Sequence, residues 1–142
     1  MEIITRQAED KPLTVTIEYP EYTESVKGLI KKIESLDVSF SVTAEDRQLR
    51  IARSDVYYLE IVDRKAFLYT GKDVFRLDAS MQEILNLAAD SDLVRISRTC
   101  IMNTSHLTEI RQLKNSHLEA TLDNGEKLIV SRKYLRDIKR RF

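Results

Sequence analysis

One cysteine, two prolines, three glycines and no tryptophan serve a chain of 142 residues, and each scarcity closes off a class of protein. Cys100 has no partner for an internal disulfide, and the single cysteine and two histidines do not fall into a metal-ligand spacing. No metal and no cofactor are expected. Gly28, Gly71 and Gly125 stand isolated. A GxGxxG turn or a phosphate-cradling loop needs glycines close together where backbone meets phosphate, so nucleotide chemistry has no seat. No apolar run reaches the roughly 18 residues that a membrane helix needs. The N-terminal MEIITRQAEDK lacks the apolar centre of a signal peptide, and the cytoplasm is the expected address.

What is present describes a globular chain: 42% of residues are hydrophobic and 32% charged, enough for one packed core and too little length for two full-size domains. Basic and acidic residues balance at 23 each, but unevenly along the chain. Residues 95–142 carry eleven basic and five acidic side chains, so the rest of the molecule is net acidic. A basic segment on an acidic body suits a polyanion met from one face; a solvated C-terminal helix is the plainer explanation.

Periodicity divides the chain. LTVTIEY (13–19) alternates like a half-buried strand, and the apolar positions 22, 26, 29, 30, 33 and 36 form a helical stripe with Thr23 placed to cap it. VSFSVT (38–43) alternates again. Residues 1–45 are therefore expected to form a small strand-helix-strand lobe, and residues 46–142 a β-rich domain. In the latter, QLRIA, DVYYLEIV, KAFLYT, DVFRL, LVRIS, CIMNT, LTEIRQL, HLEATL and KLIVS are short, often β-branched or aromatic runs joined by brief turns. Ser80 and Glu83 supply a capping box for a helix over 80–89. DNG at 123–125 predicts a two-residue type I′ bend with positive φ at Asn124 and Gly125. A last helix is expected from Ser131, burying Tyr134, Leu135 and Ile138 and presenting Arg132, Lys133, Arg136, Lys139 and Arg140. The fold class is mainly β (α+β), with eight to ten mostly antiparallel strands.

Enzyme templates fail in turn. His106 and His117 have no evident acidic orienter, Cys100 has no adjacent histidine, and the acidic pairs Glu45-Asp46 and Asp90-Ser91-Asp92 sit in loops. Cations at strand ends recur instead: Arg64-Lys65, Arg98 and Arg132-Lys133, beside the small hydroxyls Ser97, Thr99 and Ser131. Arginine's planar fork suits guanine or phosphate, lysine offers a point charge, and hydroxyls suit phosphate oxygens.

Three stretches, DVYYLEIVDRKAFLYT, LVRISRTCIMNTSHLTEI and DNGEKLIVSRKYLRDIK, resemble the LytTR DNA-binding domain of bacterial transcription regulators over residues 55–139. With IEYPEYTESVKGLIKKI included, the whole chain resembles the stand-alone LytTR regulators of Firmicutes, which carry no receiver domain. The resemblance implies about ten strands with short helices, and loops rather than a recognition helix in successive major grooves. It places base-contacting residues at Arg98 and Arg132, and a third within Arg64 to Ala66, taken as Lys65. Thr99, Ser131, Lys133 and Arg136 take positions expected near phosphates, and Asn103 is read as a turn holder rather than a DNA contact. Ser97 departs from the histidine frequent at that position.

The resulting expectation is a non-enzymatic, sequence-specific regulator that binds double-stranded promoter DNA at repeated half-sites, as a homodimer, with no small-molecule substrate. The N-terminal lobe would serve dimerisation or capture by a small antagonistic membrane protein. The alternative is a β-rich interaction or ligand-binding module that never touches DNA.

Overall fold

The computed structural model describes residues 1–34 and 39–141. Helix α1 (Glu24–Glu34) starts at Thr23, whose Oγ1 accepts the Val26 N–H at 3.3 Å. Ten strands follow: β1 (Ser39–Ala44), β2 (Arg47–Ala52), β3 (Tyr58–Val62), β4 (Lys65–Tyr69), β5 (Val74–Leu77), then β6 (Leu93–Arg95), β7 (Cys100–Asn103), β8 (Leu107–Gln112), β9 (Leu118–Leu122) and β10 (Lys127–Val130). Helix α2 (Met81–Ala88) lies between β5 and β6, and α3 (Leu135–Arg141) closes the described chain. All pairings are antiparallel, in a seven-stranded sheet ordered β2-β1-β5-β4-β3-β7-β6 and a three-stranded sheet ordered β10-β9-β8.

The α2 capping box is formed as the sequence indicates. Ser80 Oγ accepts the Glu83 N–H at 3.2 Å, and Glu83 Oε1 accepts the Ser80 N–H at 3.3 Å. Ile84 and Ala88, one turn apart, are then buried against the large sheet. At the other end of α2, the Ala89 N–H donates to the Asn86 carbonyl at 3.3 Å, and buried Arg53 donates from Nη1 to the Leu87 carbonyl at 2.7 Å, adding a side-chain donor to the helix terminus.

Strand alternation gives the large sheet two packed faces. Leu59 of β3 and Ile101 of β7 join Phe40, Leu68 and Ile84 in one apolar cluster. Their neighbours Tyr58, Cys100 and Met102 point the other way, into a second cluster with Leu118, Ala120, Leu122, Val130 and Ile138 from the small sheet and α3. Each large side chain so buried contributes about 1.5–3 kcal/mol, which makes β3 and β7 the backbone of the fold. Burial pushes the Cys100 thiol up to about 12, with the nearby Glu60 charge adding to it. At neutral pH the group stays protonated and packs as a small hydrophobe.

Two sequence expectations are corrected. Residues 13–19 form no strand: Leu13 and Val15 are exposed at 98% and 58%. A strand needs a neighbour for its N–H and C=O groups. The other strand of the expected lobe, β1, is paired with β2 along its length and with β5 at Thr43 and Arg76. β1 thus belongs to the large sheet. Val38, where that strand was expected to begin, and Leu36, at the end of the helical stripe, lie outside the described residues. The DNG bend is the second correction. Leu122 pairs with Glu126, Gly125 N–H donates to the Leu122 carbonyl at 2.9 Å, and Gly125 alone has positive φ, at +89°. This is a three-residue loop with a left-handed glycine completing a bulge, not a type I′ bend.

Asn103 ends β7 with 2% exposure and holds two segments together. Its Nδ2 donates to the Val56 carbonyl at 2.7 Å and the Arg53 carbonyl at 3.5 Å, while Oδ1 accepts Ser105 N–H at 3.0 Å and Ser105 Oγ at 2.8 Å. It is the turn holder its position suggests.

Candidate nucleic-acid interface

Three loops carry the cations, and the backbone joins them. The first is the β3–β4 hairpin. Val62 pairs with Lys65, so Asp63 and Arg64 form a two-residue turn, and both have positive φ, +50° and +64°. That is the type I′ pattern, here built without glycine, a conformation that costs free energy for ordinary side chains and concentrates at functional positions. Arg64 occupies the turn tip and Lys65 opens β4, both exposed.

The second loop, residues 96–99, links β6 to β7. The Ile96 and Ser97 N–H groups donate to the Cys100 carbonyl at 3.0 and 3.3 Å, and Thr99 N–H donates to Ser97 Oγ at 3.2 Å. Ser97 therefore shapes the loop through an ST-type turn. Arg98 and Thr99 stand exposed on it. Arg95, at the end of β6, reaches forward: Nε donates to the Ser97 carbonyl at 3.0 Å and Nη2 to the Arg98 carbonyl at 2.7 Å.

The third element runs from Ser131 into a single 3-10 turn (Arg132–Tyr134) and then α3. Ser131 N–H donates to the Ile96 carbonyl at 2.8 Å and its carbonyl accepts the Tyr134 N–H at 2.9 Å. Its hydroxyl makes no capping bond, and the helix expected from Ser131 opens as this 3-10 turn before α3 begins at Leu135. Ile138 is buried, Tyr134 and Leu135 are half-buried, and Arg132, Lys133, Arg136, Lys139 and Arg140 are exposed. The Tyr134 ring lies 5.8 Å from Lys133 Nζ and 5.9 Å from the Arg95 guanidinium carbon.

Two backbone bonds make these loops neighbours: Ile61 N–H to the Thr99 carbonyl at 2.8 Å, and Ser131 N–H to the Ile96 carbonyl at 2.8 Å. Arg98 is thereby joined on one side to the hairpin of Lys65 and on the other to the turn of Arg132. Among the described residues, none of Arg64, Lys65, Arg98, Arg132, Lys133 and Arg136 forms an ion pair with a carboxylate, whereas Lys31, Arg76, Arg111 and Lys127 do. Unneutralised cations on adjoining rigid loops form a surface for a polyanion.

The sequence leaves His106 without an acidic partner; the fold supplies one. His106 stacks on Tyr57 with centroids 3.9 Å apart, and its Nδ1 meets Asp123 Oδ2 at 3.0 Å while Nε2 meets the Ser54 carbonyl at 2.8 Å. Tyr57 donates its hydroxyl to Asp123 Oδ1. That bond and the histidine hold the Asp123 carboxyl below its usual range, while the bond to Asp123 is the main cause raising the Tyr57 phenol. Both imidazole nitrogens are occupied, so the cluster clamps the β9–β10 hairpin rather than offering a free base. Arg95 is the residue sequence reasoning missed as a loop brace. Its acceptors are backbone carbonyls two and three residues ahead, which residue types do not reveal.

Residues 46–142 match the family model of the LytTr DNA-binding domain. The sensory transduction protein LytT of Enterococcus faecalis is 26% identical over 98 residues, covering 69% of this chain and 40% of that protein. LytT of Bacillus subtilis is 24% identical over 131 residues, covering 82% and 54%. The chain spans about half the length of the LytT relatives it matches. An uncharacterized HTH-type transcriptional regulator of Staphylococcus aureus is 24% identical over 129 residues, covering 89% of this chain and 87% of its own. A solved structure described as the LytTr DNA-binding domain of a putative methyl-accepting/DNA response regulator from Bacillus cereus superposes with a TM-score of 0.68 at 25% identity, covering 74% of this chain and 96% of the other.

Proposed function

With residues 46–142 matched by one family model, the chain belongs to the LytTr DNA-binding domain family, and from that membership we propose that it is a cytoplasmic transcription regulator reading repeated promoter half-sites through loops. The observation that carries this reading is the set of unpaired cations on three backbone-linked loops. Arg98, Arg132 and Lys65 contact bases; Thr99, Ser131, Lys133 and Arg136 hold phosphates. A recognition helix is not the reader here. Among the described residues no two α-helices are consecutive, strands β1–β5 separating α1 from α2 and β6–β10 separating α2 from α3, so a helix-turn-helix pair of α-helices is absent.

Binding of the full chain to the duplex it enriches from a random-sequence library, followed by fluorescence anisotropy across a salt series, tests this. Each phosphate neutralised contributes about −0.9 to the slope of log K against log salt, so Lys133 and Arg136 alone give roughly −2 per bound copy. A library that yields no enriched duplex would favour an interaction module without DNA, and a duplex complex indifferent to salt would remove the phosphate contacts assigned to Lys133 and Arg136.

One small DNA-binding module buries too little surface for tight specific binding, which argues for two copies on half-sites about one helical turn apart. The unpaired N-terminal segment and α1, which buries no residue, are assigned to pairing the two copies or to capture by a small membrane protein. Because β1 is integral to the large sheet, the informative deletion removes residues 1–34 only. That variant is expected to sediment as a monomer and still bind one half-site; a dimer of unchanged stability would remove the pairing role.

A further inference from the structure

We propose that Arg95 is a positioning residue for DNA reading: it sets the backbone from which Arg98 projects and couples that loop to the turn bearing Arg132 and Lys133. The inference rests on the reading that Arg98 meets a base. In the 96–99 loop, no backbone N–H among the described residues donates to the carbonyls of Ser97 or Arg98. The Arg95 guanidinium supplies both, Nε at 3.0 Å and Nη2 at 2.7 Å. Fixing two successive carbonyls fixes the peptide planes on either side of the Arg98 Cα, and so the direction in which its side chain leaves the loop. Arginine's planar fork can hold two acceptors at once; lysine's single ammonium, on a flexible stem, cannot hold them in one geometry.

Arg95 itself is well anchored. It is half-buried and its backbone pairs with Ile101 across β6 and β7. Its guanidinium carbon lies 5.9 Å from the Tyr134 ring centroid, and Lys133 Nζ approaches that same ring at 5.8 Å. With Ser131 N–H bonded to the Ile96 carbonyl, the loop and the final turn are locked at two points, one backbone and one side chain. A cation engaged in this way serves the geometry of its neighbours rather than a phosphate of its own.

The test compares wild type, Arg95→Lys, Arg95→Met and Arg98→Ala on the library-enriched duplex and on a scrambled duplex of equal composition, over a salt series. Loss of hydrogen bonds from a charged donor predicts about tenfold to a hundredfold weaker binding of the enriched duplex for both Arg95 variants. Affinity for the scrambled duplex and the salt slope stay at wild-type values, and Arg95→Lys added to Arg98→Ala costs little more than Arg98→Ala alone. Arg95→Lys keeps the charge and the stem, and carries the test even if Arg95→Met does not fold. Equal weakening on both duplexes with a salt slope shallower by about one would make Arg95 a phosphate contact and overturn the proposal. So would Arg95→Lys and Arg98→Ala losses that simply multiply, or an Arg95→Lys variant indistinguishable from wild type beside a normal Arg98→Ala effect. Unchanged base preference in Arg98→Ala would overturn the base reading, and this proposal with it.

Discussion

Replacing Asn103 with alanine is expected to lower stability by about 2–4 kcal/mol and the melting temperature by roughly 10 °C, with little left to recover by repacking. The side chain is 2% exposed and satisfies groups on both sides of it: the Val56 and Arg53 carbonyls from Nδ2, and the Ser105 amide and hydroxyl from Oδ1. Alanine leaves the Val56 carbonyl without this donor, and buried polar groups left unpaired carry the full cost of desolvation. Asn103→Asp separates hydrogen bonding from volume. The side chain keeps its shape but, ionised, it has no donor and turns a negative oxygen toward two carbonyls, so at neutral pH it is expected to destabilise more than alanine. On acidification the protonated carboxyl regains an O–H for the Val56 carbonyl, and the Asp variant should recover relative to Ala. Calorimetric melts of both variants at neutral and acid pH check this. An Ala variant melting within a degree or two of wild type would mean that the buried amide does not hold the turn.

Local signals survived the transfer from sequence to fold where the partner lies within a few residues. Ser80 and Glu83 form their capping box, Thr23 caps α1, and the alternation in β3 and β7 divides residues between two apolar clusters as period-2 packing requires. Where the partner lies far along the chain, pattern alone misleads. LTVTIEY alternates as well as β1 does, yet β1's sides are taken by β2 and β5 and the segment stays unpaired. The hairpins invert a propensity rule: Asn124-Gly125 has the best type I′ residues and forms a three-residue loop, while Asp63-Arg64, without glycine, adopts positive φ at both positions. The strand registers decide this, since Val62 pairs directly with Lys65 whereas Lys127 pairs with Thr121. The same logic governs the site. Residue type marks the loop cations and the family resemblance points among them to Arg98 and Arg132, but that their loops adjoin depends on the Ser131 to Ile96 bond, and that Arg95 braces them depends on carbonyl directions no sequence displays.

Arg98→Ala and Arg132→Ala are each expected to cost about 1–3 kcal/mol on the enriched duplex and to relax preference at the base each contacts, leaving the other positions as selective as before. Lys133→Ala should behave differently, weakening all duplexes alike and making the salt slope shallower by about one. The contrast follows from what holds each side chain. Arg98 stands on a loop pinned by the Ile96, Ser97 and Thr99 amides, the Arg95 fork and the Ile61 amide, so its guanidinium starts from a defined place. Arg132 enters from a turn tied to that same loop through Ser131, while Lys133 lies against Tyr134 with an ammonium suited to a phosphate rather than to a bidentate base edge. Because the two arginine loops share the Ile96–Ser131 bond, the double variant should lose less than the sum of the single losses: once one contact is gone, the module can shift in the groove and the other loses part of its geometry. Selection of bound sequences by each variant, read position by position, checks the assignment. If Arg98→Ala and Lys133→Ala weakened every sequence equally, the cationic loops would contribute charge alone, and sequence would have to be read elsewhere on the molecule.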